Sequence, residues 1–431
     1  MSRKWFLLLL LPLLFLGAWQ VPHFRALFGI EPSAVVVLQQ EVAAWLAQET
    51  PLDATLLASA ELGRITGRET VTLSDAPPAE QAAQLAASLS QNPVDFVVVE
   101  NTLAWDLIQE ALWFRLNYSP VKTFTAPGVT TAPVTIYAYR PLLANLGPRH
   151  TLNARVPDRL SVLGYQLGPE ILQAGETAQV LLALQAPKAS IVPRRPFDAL
   201  LRLASPLDGS TMAEWSVELP RSVDPAAWAP AQVIDELIAL PLPPDLPSGA
   251  YQLTLSLRDD EDTELWPFSF NNDVNRLDRI PLAWLTVPQA GQPLPQRPLN
   301  AGFDDSIILS GVTTSAAVPG SDLSVTLAWQ PVQAIGEDFI VFVHLLDASG
   351  NLVAGHDGRP AAGRFPTPAW RPGLTVTDTH FLPLPADLPP GTYTLRAGLY
   401  DPQSGARLLL TTLDSQPAAG DAAELGTIEL R

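Results

Sequence analysis

The sequence predicts a multidomain chain: an N-terminal membrane segment, a small α/β domain, and two antiparallel β-sandwich modules. Three observations carry this. Apolar residues alternate with period two along Val180, Leu182, Leu184 and along Tyr251, Leu253, Leu255, Leu257, the pattern of strands with one solvated face. The same landmarks recur later in the chain at one offset, with a shift three residues larger near the module start, the mark of a duplicated module. Between residues 31 and 145 the period changes, and helical and strand patterns alternate.

Composition bounds the function. The chain has 431 residues, room for several cores, and its 47% apolar content is that of a globular protein. Its 43 prolines are scattered between apolar runs, which suits many short strands closed by turns. A net charge of -18 repels phosphate backbones and argues against nucleic acid as a partner. With no cysteine, disulfides, thiolate metal sites and cysteine nucleophiles are excluded.

At the N-terminus, Arg3 and Lys4 precede an apolar run over residues 5–19. As a helix that run rises ~22 Å, a little short for a bilayer core, and the flank at 20–24 extends it to the interface. Residues 1–30 read either as an uncleaved signal-anchor or as a cleaved signal peptide; Leu16-Gly17-Ala18 is a poor cleavage site and favours the anchor. Either way, the positive residues stay inside and the bulk is extracytoplasmic, membrane-held or secreted.

In residues 31–145, Val35, Leu38, Val42, Trp45 and Leu46 share one helical face after a Pro32-Ser33 start. A strand is expected at residues 55–58, a helix at 79–89, a buried strand at 95–100, a helix at 105–116 and a last strand at 134–139. This alternation predicts a mainly parallel sheet. Residues 141–157 read as a linker, 158–288 as the first β-sandwich module, 288–298 as a second linker, and 300–431 as the second module.

The repeat is specific. Leu242-Pro243-Pro244-Asp245-Leu246-Pro247-Ser248-Gly249-Ala250-Tyr251 matches Leu384-Pro385-Ala386-Asp387-Leu388-Pro389-Pro390-Gly391-Thr392-Tyr393. At the same offset Trp228 meets Trp370 and Phe197 meets Phe339. Each copy has about the size of an immunoglobulin-like sandwich.

Two resemblances follow. Ala43-Ala44-Trp45-Leu46 through Asp53-Ala54, then Gly63-Arg64-Ile65-Thr66-Gly67-Arg68, Val94-Asp95-Phe96-Val97-Val98-Val99 and the strand at 134–140 resemble the extracytoplasmic tail of bacterial membrane glycosyltransferases of the dolichyl-phosphate-mannose (GT-C) type. The match spans about a quarter of the chain. In that family the catalytic acids lie in a multi-span membrane domain, which this chain lacks, so the resemblance implies a detached tail and carries over no catalytic residue. Trp329-Gln330, Phe342-Val343-His344-Leu345-Leu346-Asp347, His356-Asp357-Gly358, Pro366-Thr367-Pro368-Ala369-Trp370 and Gly398-Leu399-Tyr400-Asp401 resemble a tail domain of exported proteins from filamentous, often thermophilic, bacteria. No activity comes with that resemblance.

Candidate chemistry is sparse. None of the five histidines has zinc spacing, and no nucleophile elbow or phosphate-binding glycine loop occurs. Within the second copy, His344, His356, Asp357 and Arg359 have no counterpart in the first, and with Trp370 they form the expected ligand-binding set. Trp370 has two readings, a sugar-stacking ring on a loop or a core plug; recurrence as Trp228 favours the plug. Asp259, Asp260 and Asp262 form a dense acidic turn, a calcium candidate or a solvated hairpin tip. No cofactor is expected. The expected function is non-catalytic: a membrane-anchored envelope protein binding a glycan or a partner. Alternatives are an accessory or split subunit of a membrane glycosyltransferase, and a secreted carbohydrate-active enzyme.

Overall fold

The computed structural model describes residues 34–68, 70–71, 78–99, 111–125, 133–140, 142–188, 194–269, 275–276, 279–291, 295–411 and 420–430. The apolar run at 5–19 lies outside them. Among the described residues no helix is long and apolar enough to cross a membrane. The chain divides into two compact units, Met1–Pro141 and Leu142–Arg431.

In the first unit the elements run α1 (Ala34–Glu49), β1 (Leu56–Leu57), α2 (Ala60–Thr66), β2 (Thr70–Val71), α3 (Pro78–Gln91), β3 (Phe96–Val99), α4 (Leu112–Asn117), β4 (Tyr118–Phe124) and β5 (Val134–Tyr139). Period-two alternation splits the sheet residues between two cores. Leu56, Val98 and Ile136 meet Leu38, Val42 and Leu46 of α1 on one face. Leu57, Val97 and Val99 meet Leu85 and Leu89 of α3 and Phe114 of α4 on the other. The sheet order is β2-β1-β3-β5-β4. Only β2, β1 and β3 are parallel; β5 runs antiparallel to both β3 and β4. The sheet is therefore mixed rather than mainly parallel. The physical reason is β4: with Pro120 and exposed polar residues it looks like loop in sequence, yet it pairs with β5 as an edge strand. The helix expected at 105–116 is described only over Leu112–Asn117.

The second unit is almost entirely antiparallel sheet. Its first half holds β6 (His150–Val156), β7 (Leu160–Gly168), β8 (Thr177–Gln185), β9 (Phe197–Ala204), β10 (Thr211–Leu219), β11 (Val233–Pro241), β12 (Gly249–Asp259), β13 (Glu264–Leu265), β14 (Phe268–Ser269), β15 (Asn275–Arg276) and β16 (Ile280–Val287). The second half holds β17 (Arg297–Phe303), β18 (Ile307–Thr314), β19 (Asp322–Pro331), β20 (Ile340–Leu346), β21 (Leu352–Gly358), β22 (Val376–Pro383), β23 (Gly391–Tyr400), β24 (Leu410–Thr411) and β25 (Ala423–Leu430).

The two halves share one strand order, with β15 and β13 (paired on β12) additional in the first. One sheet runs β11-β8-β7-β6-β14-β15 in the first copy and β22-β19-β18-β17-β24 in the second. The other runs β10-β9-β12 with β16 on β12, against β21-β20-β23-β25. In each copy the inward residues of both sheets merge into one core, so the sheets pack face to face as a sandwich. The turn-to-tyrosine motif is the same device twice: Tyr251 donates its hydroxyl to Pro247 O at 2.7 Å and Tyr393 to Pro389 O at 2.8 Å. Strand β6 forms inside the stretch that reads as linker. Asn153 sits at φ 52 and the register slips between Thr151 and Ala154, which breaks the alternation that would reveal a strand.

Contacts join the two sandwiches within this unit. Ala250 is buried in the second core, and its N–H donates to Arg364 O at 2.8 Å. Arg371 bonds the Glu170 carboxylate, and Gln289 pairs with both backbone groups of Thr377.

Candidate functional site

The features peculiar to the second copy gather on β20, β21 and β22, but not as one site. Successive residues of a strand face opposite ways. His356 stands opposite the core residue Val343, and so faces inward; Asp357 stands opposite Phe342, on the outer face. Adjacency in sequence therefore separates the expected pair in space, and the single ligand-binding set is corrected to two clusters.

The inward cluster lies where the edge strands of the two sheets meet. The Nδ1 atoms of His356 and His380 are 2.8 Å apart. His380 Nε2 is 2.8 Å from Asp378 Oδ2. Both Asp378 and His380 have side chains only 1% exposed. The other carboxylate oxygen, Asp378 Oδ1, accepts the Ala361 N–H at 2.8 Å. That bond holds a turn in which Ala361 and Ala362 take φ of 51 and 53, the left-handed region that non-glycine residues avoid. A carboxylate only accepts, so His380 Nε2 carries a proton and its Nδ1 faces His356.

The outward cluster surrounds Phe342, whose ring is buried although it lies on the outer face of its sheet. Arg407 sits over the ring at 4.3 Å, and the His344 and Tyr400 rings lie at 4.8 and 6.4 Å. Gly398 makes this possible, since a Cβ there would meet the ring at 2.5 Å. His344 Nε2 stands 3.5 Å from Asp357 Oδ1. The Tyr400 phenol is pushed above its ordinary value by loss of water and then by Asp357, with Arg407 opposing.

The remaining expected residues are placed as follows. Trp370 is fully buried, donates Nε1–H to Phe365 O at 2.9 Å and packs 6.3 Å from Trp329. It is a core plug, not a ring offered to a ligand. Arg359 points to Asp338 at 2.8 Å. In the acidic turn the three carboxylates diverge: Asp259 accepts the N–H groups of Glu261 and Thr263, Asp260 pairs with Arg195, and Asp262 with Arg258. Asp259, Asp260 and Asp262 thus do not converge on one ion. Among the described residues no cluster of three metal-ligating side chains was found.

Sequence reasoning missed Asp378, His380 and Phe381. A signal existed: Val376, Asp378, His380 and Leu382 alternate on one face, so two ionisable residues occupy core positions of an apolar strand. On the other face Phe381 is 55% exposed. Beside it Thr379, Thr326 and Thr313 stand in register across three strands, and the Thr379 and Thr326 hydroxyls are 2.9 Å apart. All three threonines are partly exposed. The equivalent row of the first copy is Leu237, Leu181 and Gln166. There Leu181 and Gln166 are buried, and the chain at 143–147 bonds to Gln166.

No family model matches the chain, and no curated protein matches it. Among solved structures, the C-terminal domain of wzt aligns with 35% of this chain and 84% of its own, at 14% identity and a TM-score of 0.21.

Proposed function

We propose that the protein is a non-catalytic, extracytoplasmic binding protein, held at the membrane by the apolar segment at 5–19. Its two sandwiches are immunoglobulin-like modules, and the second binds a cell-envelope glycan on the outer face of its β22-β19-β18 sheet. The observation that carries this reading is Phe381, an exposed flat ring at the end of a row of three threonine hydroxyls. Sugars present an apolar face and a hydroxyl rim, and such a surface offers a stacking ring beside donors and acceptors. The first copy, with leucines and a buried glutamine in that row, serves as scaffold.

Binding of the full-length protein to an array of envelope polysaccharides tests this. Phe381→Ala should weaken retention roughly tenfold, the loss expected when one ring no longer covers apolar surface. Thr326→Val should weaken it by a smaller factor while the fold persists. Retention unchanged in Phe381→Ala, or absent on every envelope glycan, overturns the reading.

A further inference from the structure

The inward cluster carries two imidazoles where its twin has apolar side chains. By register, His380 occupies the place of Ile238 and His356 that of Trp215, which packs on the first core. Asp378 occupies the place of Glu236, also buried, which accepts the N–H groups of Arg221 and Ser222 at 2.9 Å. The buried acid is thus common to both copies. In each it ties down the backbone that leaves the edge strand β10 or β21. The two imidazoles belong to the second copy alone, and placing His380 in the core has no packing reason that Ile238 does not already meet.

We propose that the His356–His380 pair is a proton-operated latch between the two sheets of the second sandwich. The geometry limits its charge. Asp378 takes the Nε2 proton of His380, leaving one position on His380, Nδ1, aimed at His356 Nδ1 2.8 Å away. One proton fits between the two Nδ1 atoms, donated by either ring. A further proton can reside on His356 Nε2, because His356 is exposed, and the Asp378 carboxylate balances that single positive charge. When both rings are fully protonated, two N–H groups point at each other across 2.8 Å, and the bond becomes a repulsion. The latch closes with at most one positive charge and opens with two.

Other charges do not substitute for the pair. From the turn after β21, Arg359 is turned to Asp338, and only the Ala361 N–H reaches Asp378. Across β21 and β20, Asp357 and His344 lie on the opposite face of the sheet. From β22 itself Thr379 points outward to Thr326. Opening separates β21 from β22 and releases the strained turn at Ala361 and Ala362 that Asp378 holds.

Hydrogen exchange of the full-length protein, read on peptides from β21 and β22 and corrected for intrinsic rates, tests the latch. Between about pH 7.5 and about pH 5, the range in which histidine charges, the opening equilibrium of these peptides should rise about tenfold per pH unit once the second proton binds. Peptides from β10 and β11 should not follow. The double variant His356→Gln/His380→Gln keeps donors and acceptors but cannot titrate, so its β21 and β22 peptides should lose that pH dependence. An unchanged pH profile in the double variant overturns the proposal. So does a zinc-induced rise in protection of the native protein that the variant lacks, which would make the pair a metal ligand set. Should the variant fail to fold, nitrogen NMR of the native protein decides: a hydrogen-bond coupling between the His356 and His380 Nδ1 atoms must be present at about pH 7.5 and vanish as the β21 and β22 peptides open, and its absence at about pH 7.5 overturns the latch.

Discussion

Truncating Trp370 tests its role as a core plug. The side chain is fully buried, lies 6.3 Å from Trp329, and spends its one polar group on Phe365 O. Removing a ring of this size from a core costs about 3–5 kcal/mol. The Phe365 carbonyl, left without its donor, adds about 1 kcal/mol. With a urea slope of roughly 3 kcal/mol/M for a unit this large, Trp370→Ala should lower the unfolding midpoint of the second sandwich by about 1–2 M. Trp370→Phe retains most of the volume and should lose far less. The assay is urea unfolding of the full-length protein, followed by Trp fluorescence and by circular dichroism. The reasoning fails if Trp370→Ala unfolds at the native midpoint yet no longer binds glycan. That outcome would place the ring at a surface, against its burial.

Two further predictions rest on other contacts of the sandwiches. Tyr251→Phe and Tyr393→Phe each delete one hydroxyl bonded to a proline carbonyl four residues earlier, and each should cost about 1 kcal/mol in urea unfolding; strongly unequal losses would show that the two corners are not equivalent. His150 stacks on Tyr165 at 4.8 Å, and burial lowers its affinity for protons below the ordinary value of 6.5, with Glu170 opposing and Arg371 assisting. The unfolded chain therefore takes up the proton first as pH falls. The stability that neutral His150 permits is present above pH 6.5 and is lost as pH falls below it, so His150→Gln should flatten the stability profile in that range. An unaltered slope would contradict it.

What the sequence shows depends on whether the cause is local. Alternation exposed β19 and β23, and the regular inward apolar residues marked β8 and β12 as strands, but there Leu181, Ala183, Thr254 and Ser256 are buried on the other face as well, so the solvated face that the pattern predicts is largely absent. The repeat exposed the tyrosine corners and identified Trp370 with Trp228, correctly marking both as core. β4 and β6 stayed hidden, one behind Pro120 and solvent-facing polar residues, the other behind a bulge at Asn153. The site was half legible. His344, His356 and Asp357 stood out as residues without counterparts, but treating neighbours in sequence as neighbours in space joined two faces of one sheet. His380 and Asp378 lay 22 or more positions beyond His356, and only the closure of the β21 edge on β22 brings them together.

Along β22, three neighbouring positions change character relative to β11. Asp378 and Glu236 both remain acidic and buried, because each holds the crossover that follows the neighbouring edge strand. The next three positions all change character: Leu237 to Thr379, Ile238 to His380, Ala239 to Phe381. The middle change puts an ionisable ring into the core, and the outer two put a hydroxyl and an exposed aromatic on the surface. A buried imidazole where a branched aliphatic side chain fits gives up hydrophobic stabilisation and adds desolvation. Because His380 and the exposed Phe381 are neighbours on one strand, the inner and outer faces of β22 belong to one segment, so a shift of β22 at the latch moves Thr379 and Phe381 with it.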